Sequence, residues 1–300
     1  AGLLTLGATL QDLRLAGVGH PLVLGSDRPE PYQTSLRYAG ALVGRYANRI
    51  AGGRFVLDGA EVQLDRNEGA NTLHGGSESA GQMLWQIADL AADRVVLTLD
   101  MAEGHMGFPG RLSVQAAVTL PGDGGLAYEI PATTDPPTLC NFAQHSYFNL
   151  DDGATITGHR LRIAAETYTP VGPGLIPTGA LAPVAGTRFD FRSAREIGET
   201  GYDHNFVTAA ARTACRPVAE VTGANGLTLI LETTEPGLQV YDGVHLAVTE
   251  GLGGRLYGSR AGLALEPQIW PDSPNFPGAP SAVLRPGETY RQVTRYRFAR

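Results

Sequence analysis

Lysine is absent: all 23 basic residues of the 300-residue chain are Arg. Without Lys there is no Schiff-base chemistry, no pyridoxal-phosphate enzyme and no Walker-type phosphate loop. Cysteine is nearly absent as well. Cys140 and Cys215 are isolated and form no C-x-x-C pair, so neither a disulfide scaffold nor a redox motif is built from them. No run of 18 apolar residues occurs, which excludes a spanning helix. Basic charge is in deficit, with 30 acidic residues and a net charge of −7; a general nucleic-acid binder needs the opposite. No G-x-S-x-G elbow, G-x-G-x-x-G loop or N-x-[ST] sequon is present. Among the seven histidines none stands at H-x-H or H-x-x-x-H spacing, so no metal is expected. The opening stretch AGLLTLGATLQDL lacks a cationic leader and reads as a first strand. Ala1 fits removal of an initiator Met, and together these make a cytoplasmic protein the expectation.

Glycine and proline are abundant. The 39 Gly and 20 Pro make up about a fifth of the chain, against roughly 12% in average usage, and predict many tight turns. Short β-like runs lie between those turns. Arg54–Leu57, Asp58-Gly59 and Glu61–Leu64 read as a hairpin. Val95–Asp100, Leu112–Leu120 and Leu126–Thr133 follow as strands, the last two joined by the Pro121–Gly125 turn. Arg160–Ala164, Val218–Val221, Leu227–Thr233, Leu238–Tyr241, Gly262–Ile269 and Tyr290–Phe298 continue the pattern. Helical candidates are limited to Gln82–Leu90 and Ser193–Ile197. Many strands, few short helices and no β–α alternation predict an all-β fold, a large antiparallel β-sandwich or barrel. No composition break or repeat divides the chain, so residues 1–300 are read as one domain.

Several strand-like segments carry a polar group where an apolar one costs less. In Asn141–Leu150, Asn141, Ala143, His145, Tyr147 and Asn149 share one face, and Phe142, Gln144, Ser146, Phe148 and Leu150 the other. His145 is either a hydrogen-bonded structural histidine or a functional one. In Gly262–Asp272, Leu263 and Leu265 point one way and Glu266 and Gln268 the other. A Glu in an apolar strand must be paired, used, or exposed at an edge, and Pro267 is compatible with an edge. Asn48-Arg49 sits in a glycine-rich stretch, and His74 precedes Gly75-Gly76. Asp203, His204 and Asn205 occur together in GYDHNF, where an Asx-type turn is the plain alternative. Gln239 and Tyr241 share a face.

Taken in order, nine strings resemble the aldose 1-epimerase (galactose mutarotase) family over nearly the whole chain. They are LGATL (6–10), GRYANRIAGGRFVLDG (44–59), NTLHGG (71–76), HSYFNL (145–150), IPTG (176–179), GTRFDFR (186–192), GYDHNF (201–206), LEPQIWPD (265–272) and LRPGETY (284–290). The resemblance implies a galactose mutarotase-like supersandwich with a sugar cleft on one sheet. It implies exchange of α and β anomers of free aldoses without metal or cofactor. Glu266 corresponds to the family's catalytic base and His145 to its acid. Asn48, Arg49, His74, Asp203 and Gln239 correspond to its sugar-binding set.

That chemistry needs one group to take the proton from the anomeric hydroxyl and another to protonate the ring oxygen as the C1–O5 bond opens. A carboxylate and an imidazolium fit these tasks. Arg49 is expected to keep Glu266 ionised. Trp270 or Tyr147 offers a ring for a sugar face, with core packing as the alternative. Three stretches depart from the family pattern: CNFAQ before His145, Ala279 in the Pro-rich loop, and Asp242-Gly243. They leave the preferred aldose open. The expected partner is a small-molecule aldose, with no nucleic acid and no membrane, for a monomer or homodimer. A hexose-phosphate 1-epimerase or a non-catalytic sugar-binding module on the same scaffold are the competing readings.

Overall fold

The computed structural model describes residues 1–300. Two antiparallel sheets face each other. The larger has nine strands in the order Arg195–Glu196, Arg160–Ile163, Arg216–Thr222, Thr228–Thr233, Tyr290–Ala299, Gly125–Thr134, Leu112–Thr119, Arg94–Met101 and Gln86–Leu90. The smaller has six, in the order Tyr147–Phe148, Leu263–Gln268, Gly237–Tyr241, Asp203–Val207, Thr167–Tyr168 and Ala182–Pro183. Alternation along Leu112–Thr119 buries Leu112, Val114, Ala116 and Val118, the half-buried pattern of a sheet with one wet face. Those side chains join one cluster of 46 buried residues. Phe148, Phe206, Leu238, Val240, Leu263 and Leu265 enter the same cluster from the smaller sheet.

The Arg54–Leu57 hairpin forms as expected, returning through Ala60–Gln63. Asp58 (φ 49°) and Gly59 (φ 84°) both adopt the positive φ that its turn needs. The long strands appear within a residue or two of their expected ends.

The two helical expectations fail. Gln82–Leu90 is a 3-10 turn (Ala80–Gln82) followed by the edge strand Gln86–Leu90. A bulge between Ile87 and Asp89 shifts the register against Arg94–Met101. It breaks the two-residue alternation and leaves apolar residues at helix-like spacing. Ser193–Ile197 contains the strand Arg195–Glu196, which pairs with Arg160–Leu161. Helices this short are marginal on their own, and a ladder wins. GYDHNF is likewise strand rather than turn, pairing with Gly237–Tyr241 throughout Asp203–Val207.

The strand Leu263–Gln268 is interior, not edge, and every residue in it is buried. Its outer neighbour Tyr147–Phe148 pairs only with Leu263 and Ala264, so Pro267 lies beyond that short ladder. One face of this strand meets the core, and the other forms the floor of a cleft.

Candidate active site

Strand register assembles the floor. Glu266 lies opposite Gln239, and Gln239 opposite Asn205; one row on, Ala264 faces Tyr241 and Tyr241 faces Asp203. Antiparallel pairing thus places Glu266, Gln239 and Asp203 on one face, two strands apart at most. Gln239 Nε2 donates to Asp203 Oδ1 at 2.5 Å. Asp203 Oδ2 lies 3.8 Å from Arg49 Nη1. Arg49 is committed elsewhere: its Nε and Nη2 fork onto Glu68 at 2.6 and 2.7 Å.

Loops supply the roof. His145 sits between two short pairings, Ala143–Gln144 with Leu42–Val43 and Tyr147–Phe148 with Leu263–Ala264. Its backbone N–H donates to Ala41 O and its carbonyl accepts from Gly40 N, both at 2.9 Å. The ring then reaches Glu266, with Nε2 3.6 Å from Oε1. His74 packs edge-on against His145, centroids 5.3 Å apart, and Tyr147 lies 5.1 Å away. Asn48 (φ 64°) and His74 (φ 52°) hold left-handed backbones, uncommon for residues other than glycine and concentrated at functional sites. Each braces the other. His74 N donates to Asn48 O at 2.9 Å, and Asn48 N donates to His74 Nδ1 at 3.1 Å. Gly75 makes this possible, since a Cβ there would lie 2.3 Å from Gly44 O.

The Asn48 contact also sets the tautomer of His74. A neutral ring that accepts at Nδ1 carries its proton on Nε2. His74, His145 and Glu266 bring potential ligand atoms within 4.8 Å of one another, but His74 has no lone pair left for a metal. It is instead a hydrogen-bond donor.

Burial governs the protonation states. It holds Glu266 well above the usual carboxylate range; Asp203 adds to the effect and Arg49 opposes it. Burial lowers His145 to about 4. Burial, His145 and Arg49 together lower His74 well below its ordinary value. Asp203 is also raised by burial, against the pull of Arg49 and Gln239. Two expectations are corrected here. Arg49 pulls Glu266 towards its ionised form, but its fork is spent on Glu68 and burial outweighs that pull, so the carboxyl lies above its ordinary range rather than below it. His145, for its part, does not rest as an imidazolium.

A cavity of about 500 Å³ gathers Glu266, His145, Asn48, Arg49, His74 and Asp203 on its lining. Gln239 lies just beneath and reaches the cavity through Asp203. Tyr147 lines the cavity, whereas Trp270 packs against Phe276 and donates to Pro236 O, outside it. Tyr241, noted from sequence only as sharing a face with Gln239, lines it too, and so do Tyr38, Glu68, Leu175 and His245, which were not singled out from sequence. Glu68 gave no local signal, because it stands 19 residues from Arg49 and only the fold brings the two together.

A family model described as aldose 1-epimerase matches residues 1–297. The aldose 1-epimerase of Escherichia coli (strain K12) is 40% identical over 310 residues, covering 97% of this chain and 90% of that protein. The galactose mutarotase of Homo sapiens is 39% identical over 293 residues, covering 94% and 85%. Among solved structures, the GalM/aldose epimerase homologue from C. elegans superposes with a TM-score of 0.92 at 30% identity, covering 99% of this chain and 94% of that one. Galactose 1-epimerase from Lactobacillus acidophilus gives a TM-score of 0.85 at 29% identity, covering 98% and 89%. With the whole chain matched, the fold shared and the cleft assembled from the residues its motifs carry, this protein belongs to the aldose 1-epimerase family.

Proposed function

We propose that Glu266 and His145 are the proton-transfer pair of this isomerase, which exchanges the α and β anomers of aldoses. The observation that carries the assignment is the pair itself: a carboxyl and an imidazole 3.6 Å apart, both buried, both facing one sugar-sized cavity. Glu266, as carboxylate, takes the proton of the anomeric hydroxyl, and His145 delivers a proton to the ring oxygen. The C1–O5 electron pair leaves with O5, and the C1 carbonyl forms. Rotation about C1–C2 turns the other carbonyl face towards O5. Reclosure returns both protons, so the pair carries one proton before and after.

Burial favours the uncharged distribution, with the proton on Glu266 and His145 neutral. That is also the distribution that accompanies the open-chain aldehyde. The site therefore stabilises the ring-opened intermediate relative to the charged pair that starts the reaction. Asp203 accepts from sugar hydroxyls, Arg49 and His74 Nε2–H donate, and Asn48 does either. Gln239 holds Asp203 in place. Positioning of this kind is how an enzyme turns binding into rate.

The phosphorylated-sugar reading is disfavoured because Arg49 is the one guanidinium on the cavity lining and is already forked onto Glu68. Polarimetry tests the assignment. Purified protein accelerates the optical-rotation drift of fresh α-glucose or α-galactose, and Glu266→Gln and His145→Gln each slow it about 10²–10⁴-fold. A Glu266→Gln enzyme with wild-type rate overturns the assignment. A wild-type protein that leaves the drift unchanged supports the non-catalytic binding module instead.

A further inference from the structure

Behind the catalytic pair the protein buries amides that it does not satisfy. Gln268 is 0% exposed, and neither its Nε2 nor its Oε1 has a partner within the protein. Both amide atoms of Asn205, 1% exposed, are in the same condition. So are Gln239 Oε1 and Glu266 Oε2. These six atoms belong to one patch of the sheet. Gln268 follows Glu266 by two residues on the same strand face, and Asn205 lies across Gln239 from Glu266. Gly237, opposite Gln268, keeps the patch open. A Cβ there would lie 2.4 Å from Asn205 Oδ1 and 3.0 Å from the Gln268 carbonyl oxygen. The Asn205 amide thus crosses Gly237 towards the strand that carries Glu266.

Apolar side chains would cost less at both positions. Unpaired buried polar atoms in a native protein call for an explanation. Converging donors and acceptors are what an internal water requires, and such a water makes two to four hydrogen bonds. We propose that Asn205 and Gln268 hold an ordered water against Glu266 Oε2, the oxygen other than the one nearest His145, and so position the carboxyl and stabilise its ionised form. They are positioning residues, acting through Glu266. The catalytic consequence rests on Glu266 being the base, whereas the effect on its ionisation does not. The other charged or titratable groups acting on Glu266 are Asp203, Arg49, His145, Tyr147, Tyr241 and Tyr296, and all are retained in the variants below.

The test is an infrared pH titration of the protonated Glu266 carboxyl, its band identified by its loss in Glu266→Gln. Losing a hydrogen bond to a charged group raises the midpoint by about one pH unit or more in Gln268→Met and in Asn205→Leu. Asn205→Ser, which keeps a hydroxyl donor and leaves room for water, returns it towards wild type. In parallel, kcat falls about tenfold with KM held within about twofold. The two positions lie on different strands, so Asn205→Leu serves if Gln268→Met does not fold. A wild-type midpoint in either folded variant overturns the proposal. A Glu266→Gln enzyme of full activity overturns the role of Glu266 as base and leaves the titration to decide the amides.

Discussion

His145 and Glu266 are each driven by burial towards the uncharged state, and because they face each other the two shifts amount to one shared proton. On the proposed roles, the limbs of a pH–rate profile belong to the pair rather than to either residue. On the acid side activity falls as a second proton adds near the depressed value of His145, about 4. On the alkaline side it falls when the shared proton leaves, at a pH above the ordinary carboxylate range. A kcat/KM plateau that begins above about pH 4 and extends past the ordinary carboxylate range is the expected outcome; an acid limb centred at an unperturbed His value contradicts it. Stability follows the same signs. A Glu raised in the fold contributes stability that is full below its unfolded value of about 4.5 and is lost as pH rises towards the folded value. Glu266→Gln has no such loss. It gains on wild type from about pH 4.5 upward, by at most ~1.4 kcal/mol per pH unit, measured by urea unfolding at several pH values.

Elements differ sharply in what they tolerate. Gly75 follows His74 with φ 94°, and a Cβ there would press on Gly44 O at 2.3 Å. Gly75→Ala is expected to lower stability by about 1–3 kcal/mol and to raise KM, because the turn that aims His74 shifts. The Arg49–Glu68 fork adds a charged tie between two stretches of the cleft wall. Glu68→Gln frees the guanidinium to sample other positions. It is expected to raise KM several-fold with a smaller change in kcat, the signature of lost substrate positioning. The edge strand Gln86–Leu90 is the opposite case. Ile87 is 55% exposed, lies on the edge of the nine-stranded sheet and does not line the cavity, so Ile87→Lys is expected to stay within about 0.5 kcal/mol of wild type with unchanged polarimetric rate.

Across the whole molecule, the sandwich supplies the burial that shifts these protonation states. Phe148 bridges the two roles. It packs in the main cluster against Tyr296, centroids 5.0 Å apart, while its neighbour Tyr147 lines the cavity. Phe148→Ala is expected to cost about 3–5 kcal/mol in unfolding and to lower kcat in the fraction that remains folded. Arg45 closes another part of the interior: fully buried, it donates to the carbonyls of Ala102, Pro109 and Gly110 and to Thr138. Burial brings its guanidinium down to about 10, still charged at neutrality.

Turn chemistry and alternation are local, so the all-β class, the long strands and the Asp58-Gly59 hairpin were legible in the chain itself. The motif strings likewise marked His145, Glu266 and most of the cleft wall. The bulge at Ile87 hid a strand because it erases the period that identifies one. Strand Leu263–Gln268 did not reveal its interior position, because edge or centre depends on which strands arrive to flank it. Partnership was also beyond the sequence. Arg49 turned to Glu68 rather than Glu266, and His74 took its tautomer from Asn48, because such contacts arise between segments that only folding brings together. Residue types fix which protons can be carried. Burial, a property of the assembled sheets, decides where each proton rests.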